Sequence, residues 1–331
     1  MRILCFFILL LFSISSGAQA PDSVSARELE GHVQLLASDS LWGRGNGHNA
    51  QALAASYIAG EFTKAGLMPF PAFEGFLQPF ILDKGKLVAI DTAAAQPTHM
   101  HNVIGMLKGK TKPGEIVLVT AHYDALGVEG KGRSATVYNG ANDNASGTAA
   151  VLALARYFAQ RKDNDRTLLF CAFAGEEAGL LGSKLLAGIL KPEHLVAGFN
   201  IEMIGVAQYG RNRFALIGES HGDLALFVDR YTKAMGTRRV PDAQPEKHLF
   251  YSSDNYPFAA KGVPAYTFMS SDDDDRCYHN ECDEANRLDY AHMQNVVRTL
   301  AAVLLPVVKG EFTPKRMDTR RIAREAPAMN Y

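Results

Sequence analysis

Ile116-Val-Leu-Val-Thr120 runs directly into Ala121-His-Tyr-Asp124. An apolar run of that length with no polar alternation reads as a strand buried on both faces. From residue 115 onward the pattern is strand–helix alternation. A helix is expected over roughly 145–160, a strand at Thr167–Phe173, a helix at 177–190 and a strand at Ala197–Met203. A strand at Arg213–Ile217 leads into a helix at 222–235. A short helix near 255–261, a strand at Ala265–Met269 and a long helix at 287–307 complete the series. Such alternation predicts an α/β fold, a three-layer α/β/α arrangement around a central mixed, mainly parallel sheet. Ligands of such sheets gather outside the carboxyl ends of the strands.

Upstream, residues 26–39 and 48–65 have helical spacing, with Leu29, Val33, Leu35 and Leu36 on one and Leu53, Ala54, Tyr57, Ile58 and Phe62 on the other. Gly66 ends the second, and Pro69 and Pro71 forbid its continuation. Between them lies the glycine-rich Leu41-Trp-Gly-Arg-Gly-Asn-Gly47. No strand precedes it, so it is not a dinucleotide fingerprint. Residues 75–92 and 102–107 read as strands.

Met1-Arg2, the apolar run Ile3–Ile14 and Ala18-Gln19-Ala20 have the form of a secretory signal, with an N-terminal membrane anchor as the alternative. The expected organisation is a signal over 1–20, one domain over 21–310 and a basic tail over 311–331, surface-wrapped or frayed. The chain is then expected to be exported, periplasmic or secreted, and free of the membrane once cleaved. A net charge of -1 and a hydrophobic fraction of 47% argue against a nucleic-acid binder. Cys277 and Cys282 flank His279 and read as a disulfide in an exported chain, with two free thiols as the alternative. A zinc half-site would lack its second pair.

The candidate chemistry falls at the strand ends. His122 is followed by Asp124, a pairing in which a carboxylate can fix the tautomer of a metal-binding imidazole. Asp143, in Asn142-Asp-Asn144-Ala-Ser-Gly147, enters a helix, where it is either a cap or a bridge between cations. Glu176 and Glu177 adjoin at the end of a buried strand, where like charges repel unless cations or protons intervene. The alternative is two solvated glutamates in a helix first turn. Glu202 is a single acid in an apolar strand, and Cys277-Tyr-His279 supplies a second imidazole. If the six residues His122, Asp143, Glu176, Glu177, Glu202 and His279 converge, they can hold two cations and a water, with a spare carboxylate for its proton.

Together, in order and spacing, these words resemble the M28 family of co-catalytic zinc peptidases, over about Leu29 to Leu305. The resemblance implies a zinc-peptidase-like fold and two Zn²⁺ per chain. His122 and Glu202 would hold one ion, Glu177 and His279 the other, and Asp143 would bridge them. It also implies Glu176 as general base, Asp124 as the carboxylate behind His122, and Tyr278 as a phenol polarising the scissile carbonyl. Glu202 departs from the pattern, since Asp is more usual there. Ser253-Asp254-Asn255 departs too, with Asn in place of His. Two Zn²⁺ against Asp143, Glu177 and Glu202 leave one positive charge for a developing oxyanion.

The function so implied is an aminopeptidase acting on peptides with a free N-terminus. Two alternatives are a single-zinc glutaminyl cyclase and a non-catalytic binding protein on the same scaffold. Cyclases place tryptophans around the pocket, whereas the lone Trp42 is far in sequence from every motif. Carboxypeptidase action would need a basic clamp that the sequence does not reveal. His99 and His101, and the run Asp272–Asp275, are expected in solvated loops. No HExxH, GxSxG or P-loop word occurs.

Overall fold

The computed structural model describes residues 24–242 and 244–327. The expected signal segment, Cys5 and the last four residues lie outside them. The strands are β1 Met68–Pro69, β2 Leu77–Asp83, β3 Lys86–Ala89, β4 Met100–Leu107, β5 Lys112–His122, β6 Gly127–Glu129, β7 Thr136–Tyr138, β8 Arg166–Phe173, β9 Leu195–Ile201, β10 Arg213–Ile217, β11 Arg238–Val240 and β12 Ala265–Met269. The α-helices are α1 Ala26–Leu36, α2 Asn49–Ala65, α3 Ser146–Arg161, α4 Leu181–Ile189, α5 Leu224–Met235, α6 Leu249–Ser252, α7 Tyr256–Ala259, α8 Tyr290–Val308 and α9 Thr319–Glu325.

Among the described residues a ten-stranded sheet runs β11-β10-β12-β9-β5-β8-β4-β2-β3, with β1 pairing to β4. Its centre is parallel: β5 pairs with β8 and β9, and β9 with β12. Antiparallel ladders lie outside that centre, β4 on β8 on one side and β10 on β12 on the other. Val117, Leu118, Val119 and Ala121 of β5 are fully buried, as are all of Leu168–Phe173 in β8. That is the cause of the unalternating sequence pattern, because helices cover both faces. On one side α3 packs against β5, β8, α1, α2 and α8, and α5 packs on α8. A second group pairs α4 with α7, which rests on β12. Gly147, near the start of α3, lets the helix approach β9, since a Cβ there would overlap the carbonyl of Ile201.

The expected strand at 75–92 is a hairpin, turned at Lys84-Gly85 with φ of 49° and 75°. The helix expected from 177 begins only at Leu181, and the short helix expected near 255–261 is α7, preceded by the further short helix α6. α8 is the one helix among the described residues long and apolar enough to cross a membrane. It is instead largely buried against α1, α3 and α5. The described part of the tail wraps the surface. Phe312 stacks on Phe227 at 3.8 Å, and Met317 and Ile322 are buried.

Candidate metal centre

Parallel register aligns the strand ends. His122, last in β5, pairs with Phe173, last in β8, and Thr120 pairs with Asn200 of β9. Glu176, Glu177 and Glu202 follow directly on β8 and β9, so three strands deliver their polar residues to one rim. Asp143 arrives from the entry to α3. His279 comes from the Cys277–Cys282 loop, which is closed by a disulfide.

The two imidazoles face the two oxygens of one carboxylate. His122 Nε2 is 3.2 Å from Asp143 Oδ1, and His279 Nε2 is 3.3 Å from Asp143 Oδ2. His279 Nε2 also lies 3.0 Å from Glu177 Oε2. Ligand atoms of His122, Glu176 and Glu202 fall within 4.8 Å of one another, as do those of His122, Asp143 and Glu177. Of the two expectations for Asp143, the cap is not what forms, since α3 starts at Ser146. The flanking asparagines bond outward instead. Asn142 Oδ1 accepts from Gly205 N at 2.9 Å, and Asn144 Oδ1 from Gly147 N at 2.9 Å and Met203 N at 3.2 Å. Asp143 is left pointing inward, and a cis peptide joins it to Asn144.

Glu176 and Glu177 sit in a turn ahead of α4, not in its first turn. Gly179 N and Leu180 N donate to the Glu176 carbonyl. Asp124 holds this turn and also stands behind His122. Its carboxylate accepts from Glu176 N and Glu177 N at 3.3 Å each and from Asn46 Nδ2 at 2.8 Å, and it lies 3.6 Å from His122 Nδ1. Tyr278 stacks on the His279 ring at 3.8 Å and lines a cavity of about 140 Å³ together with Glu176, Glu202 and Asp143.

Burial and mutual repulsion set the electrostatics. Burial, reinforced by Asp143, pushes Glu177 up to about 7. Burial does the same for Glu202, to about 8. Glu176 is driven well above the carboxylate range by burial and by Glu202 and Glu177. Burial works against a charged His279, but hydrogen bonds to Asp143 and Glu177 lift it to about 10. Burial likewise opposes the ionised Asp143, yet its contacts with His122 and His279 hold it well below the ordinary range. His122 Nε2 and Glu177 Oε1 are buried with no hydrogen-bond partner. Orphaned ligand-type atoms at a convergence of imidazoles and carboxylates fit a borderline cation such as Zn²⁺.

Glu202 is supported by a buried polar chain. Asn200 Nδ2 donates to Glu202 Oε2 at 3.1 Å and to Thr267 Oγ1 at 3.1 Å, and Thr267 donates to Asn255 Oδ1 at 2.8 Å. Asn255, where histidine is usual, thus ends a relay of hydrogen bonds leading to a candidate ligand. Asp254 beside it is buried and pushed up to about 6 by that burial.

Two supporting residues escaped the sequence reading. Asp283 accepts from Asn142 N and Asp143 N at 2.9–3.0 Å. Arg44 is wholly buried beside the same loops. No local pattern marks either one, because both act on backbone far away in sequence. The glycine-rich loop that carries Arg44 also brings Asn46 onto Asp124, so it is remote in sequence but adjacent in space. Trp42 itself is 63% exposed and lines a neighbouring groove with Leu53 and Val128. The solvated-loop expectations are partly overturned by packing. His101 is buried within β4. Asp272 is buried against Gln208 and Tyr209, Asp273 and Asp274 pair with Lys247, and Asp275 pairs with Arg287.

Comparison with known proteins gives the family and the fold. The model of the family described as "Peptidase family M28" matches residues 102–304. Aminopeptidase YwaD of Bacillus subtilis is 29% identical over 67% of this chain and 48% of its own length. A probable zinc metalloprotease of Pyrenophora teres f. teres is 40% identical over 33% of this chain and 23% of its own. The chain thus spans about half the length of the Bacillus relative and less of the fungal one. Among solved structures, a zinc aminopeptidase from Bacillus subtilis superposes with a TM-score of 0.65 at 18% identity, covering 89% of this chain and 98% of that one. A glutaminyl cyclase from Bacteroides thetaiotaomicron gives 0.64 at 17%, covering 88% and 100%. The family match spans most of the chain and takes in every candidate ligand, so the chain belongs to peptidase family M28.

Proposed function

We propose that this M28 peptidase is an exported aminopeptidase with two zinc ions, removing the first residue from peptides that have a free N-terminus. The observation that carries this reading is the placement of His122 and His279 on the two oxygens of Asp143, with Glu176 alongside. His122 and Glu202 would hold one ion, Glu177 and His279 the other, and Asp143 both. Bound zinc supplies Lewis acidity and makes water a nucleophile near neutral pH.

The protein's own groups do the rest. Glu176 is half-buried, within reach of the ligands and not needed as one, so it takes the proton of the attacking water and returns it to the departing amine. Glu202 and Glu176 offer negative charge to the substrate's α-ammonium. The Tyr278 phenol faces the cavity and donates to the scissile carbonyl as charge develops on it. Asp124 fixes the ring of His122 and, through two backbone N–H groups, the turn that carries Glu176. Export rests on the Met1–Ala20 pattern and is supported by the disulfide, a bond that persists in oxidising compartments.

Aminoacyl chromogenic substrates, assayed beside their N-acetylated forms with and without a chelator, test this directly. Chelator-sensitive release from the free-amine substrates alone is expected. Cleavage of the blocked substrates would sink the assignment. The fold neighbours include glutaminyl cyclases, so a peptide beginning with Gln belongs in the panel. Pyroglutamyl product with no released amino acid would move the reading to cyclisation.

A further inference from the structure

Arg44 is 0% exposed, and all of its hydrogen bonds go to backbone carbonyls. Nε donates to Tyr123 O at 2.6 Å. Nη1 donates to Leu36 O at 2.7 Å and Asn139 O at 2.5 Å, and Nη2 to Gly140 O at 2.9 Å. A buried cation is costly unless its charge is answered nearby. None of these acceptors is ionic, so the answer comes through space, from Asp124, Asp283, Asp143 and Glu177. Asp143 and Glu177 are candidate ligands, and Asp124 and Asp283 hold the backbone beside them.

The carbonyls are not arbitrary ones. Tyr123 lies between His122 and Asp124, and Asn139-Gly140 lead into Asp143. Ala145 N bonds back to Gly140 O, and Ala141 N to Asp283 O. Gly140 is in the left-handed region at φ 53°, and a Cβ there would overlap Asp143 O and crowd Ala125 and the guanidinium. The N–H groups of the same region are held by acids: Asp283 takes Asn142 N and Asp143 N, and Asp124 takes Glu176 N and Glu177 N. The cation thus gathers carbonyls and the acids gather amides, on either side of two ligand-bearing loops. The approach of Arg44 depends on Gly43, where a Cβ would overlap the carbonyls of Tyr138 and Gly127.

We propose that Arg44 is a positioning residue of the metal centre: it ties the backbone at Tyr123 to that at Gly140, and so fixes the separation of His122 from Asp143. This rests on the metal-centre reading above. A lysine keeps the charge but not the planar fork that reaches carbonyls in several directions.

The test compares full-length wild type, Arg44→Lys and Arg44→Met. Zinc affinity is measured by competition with a chromophoric chelator, the cobalt-substituted absorption spectrum is recorded, and kcat and KM are determined separately. Circular dichroism and melting of the metal-free proteins report the fold. Arg44→Lys is expected to stay folded, to bind zinc about 10- to 100-fold more weakly, the range typical of residues that orient ligands, and to show an altered cobalt spectrum. Its kcat should fall while KM changes little. Arg44→Met should lose more, and if it does not fold the lysine variant decides. A folded Arg44→Lys with wild-type zinc affinity, spectrum and kcat would overturn the proposal, even if its melting temperature drops. A wild type that takes up no zinc would instead overturn the metal-centre reading.

Discussion

Asn200 donates its amide to Glu202 at 3.1 Å, at the strand end where this carboxylate is buried. Glu202 reaches the rim with a longer arm than the aspartate usual at this position, and Asn200 holds that arm in place. Asn200→Ala is therefore expected to weaken zinc binding about 10- to 100-fold by chelator competition, as loss of an orienting partner does. Unchanged affinity would mean that the relay through Thr267 and Asn255 serves packing alone.

Glu176→Gln removes the proton carrier and keeps the shape. Its kcat should fall roughly 10²- to 10⁴-fold, the usual contribution of general acid–base catalysis. Zinc content, measured by atomic absorption, should stay at the wild-type level. Near-normal turnover would reassign the base.

In the metal-free protein the contacts of His279 with Glu177 and Asp143, at 3.0–3.3 Å, require a shared or transferred proton. Zinc binding must displace it. Calorimetry in buffers of differing ionisation enthalpy should therefore show net proton release at pH 7. The release should shrink as pH rises through about 7 to 8, where Glu177 and Glu202 lose their protons even without metal. A binding enthalpy independent of buffer would contradict this.

His292 gives a pH effect away from the metal. Its ring is buried and Nδ1 accepts from Asn212 N at 2.9 Å, so the folded protein keeps it neutral. Burial lowers its pKa below the ordinary 6.5. The unfolded chain then binds more protons, and the stability contributed by this group is present above about 6.5 and is lost as pH falls below it. Denaturant melts should show His292→Gln losing less stability than wild type between pH 7 and about 5. Parallel losses would show that other groups set the slope.

Much of this architecture was legible because it is local. The apolar runs of β5 and β8 and the strands at Arg213–Ile217 and Ala265–Met269 follow from burial on two faces. His122, Glu176, Glu177 and Glu202 were legible because strand ends in such sheets share a rim. Arg44 and Asp283 were not, because their partners are backbone groups up to 141 residues away, which no periodicity records. The role of Asn255 was hidden for the same reason: it reaches Glu202 only through two intervening side chains. The burial of Asp272 came from Gln208 and Tyr209, contacts that only tertiary packing creates.

The Cys277–Cys282 bond closes a loop that holds Tyr278 and His279, the latter at φ 51°. One imidazole of the pair therefore hangs on a loop closed by a disulfide, while the other is set at the end of β5. If the chain is exported as proposed, the β5 side of the centre would be built on folding and the loop side closed where thiols are oxidised. Comparing zinc uptake before and after mild reduction would show how far closure of this loop sets the second imidazole.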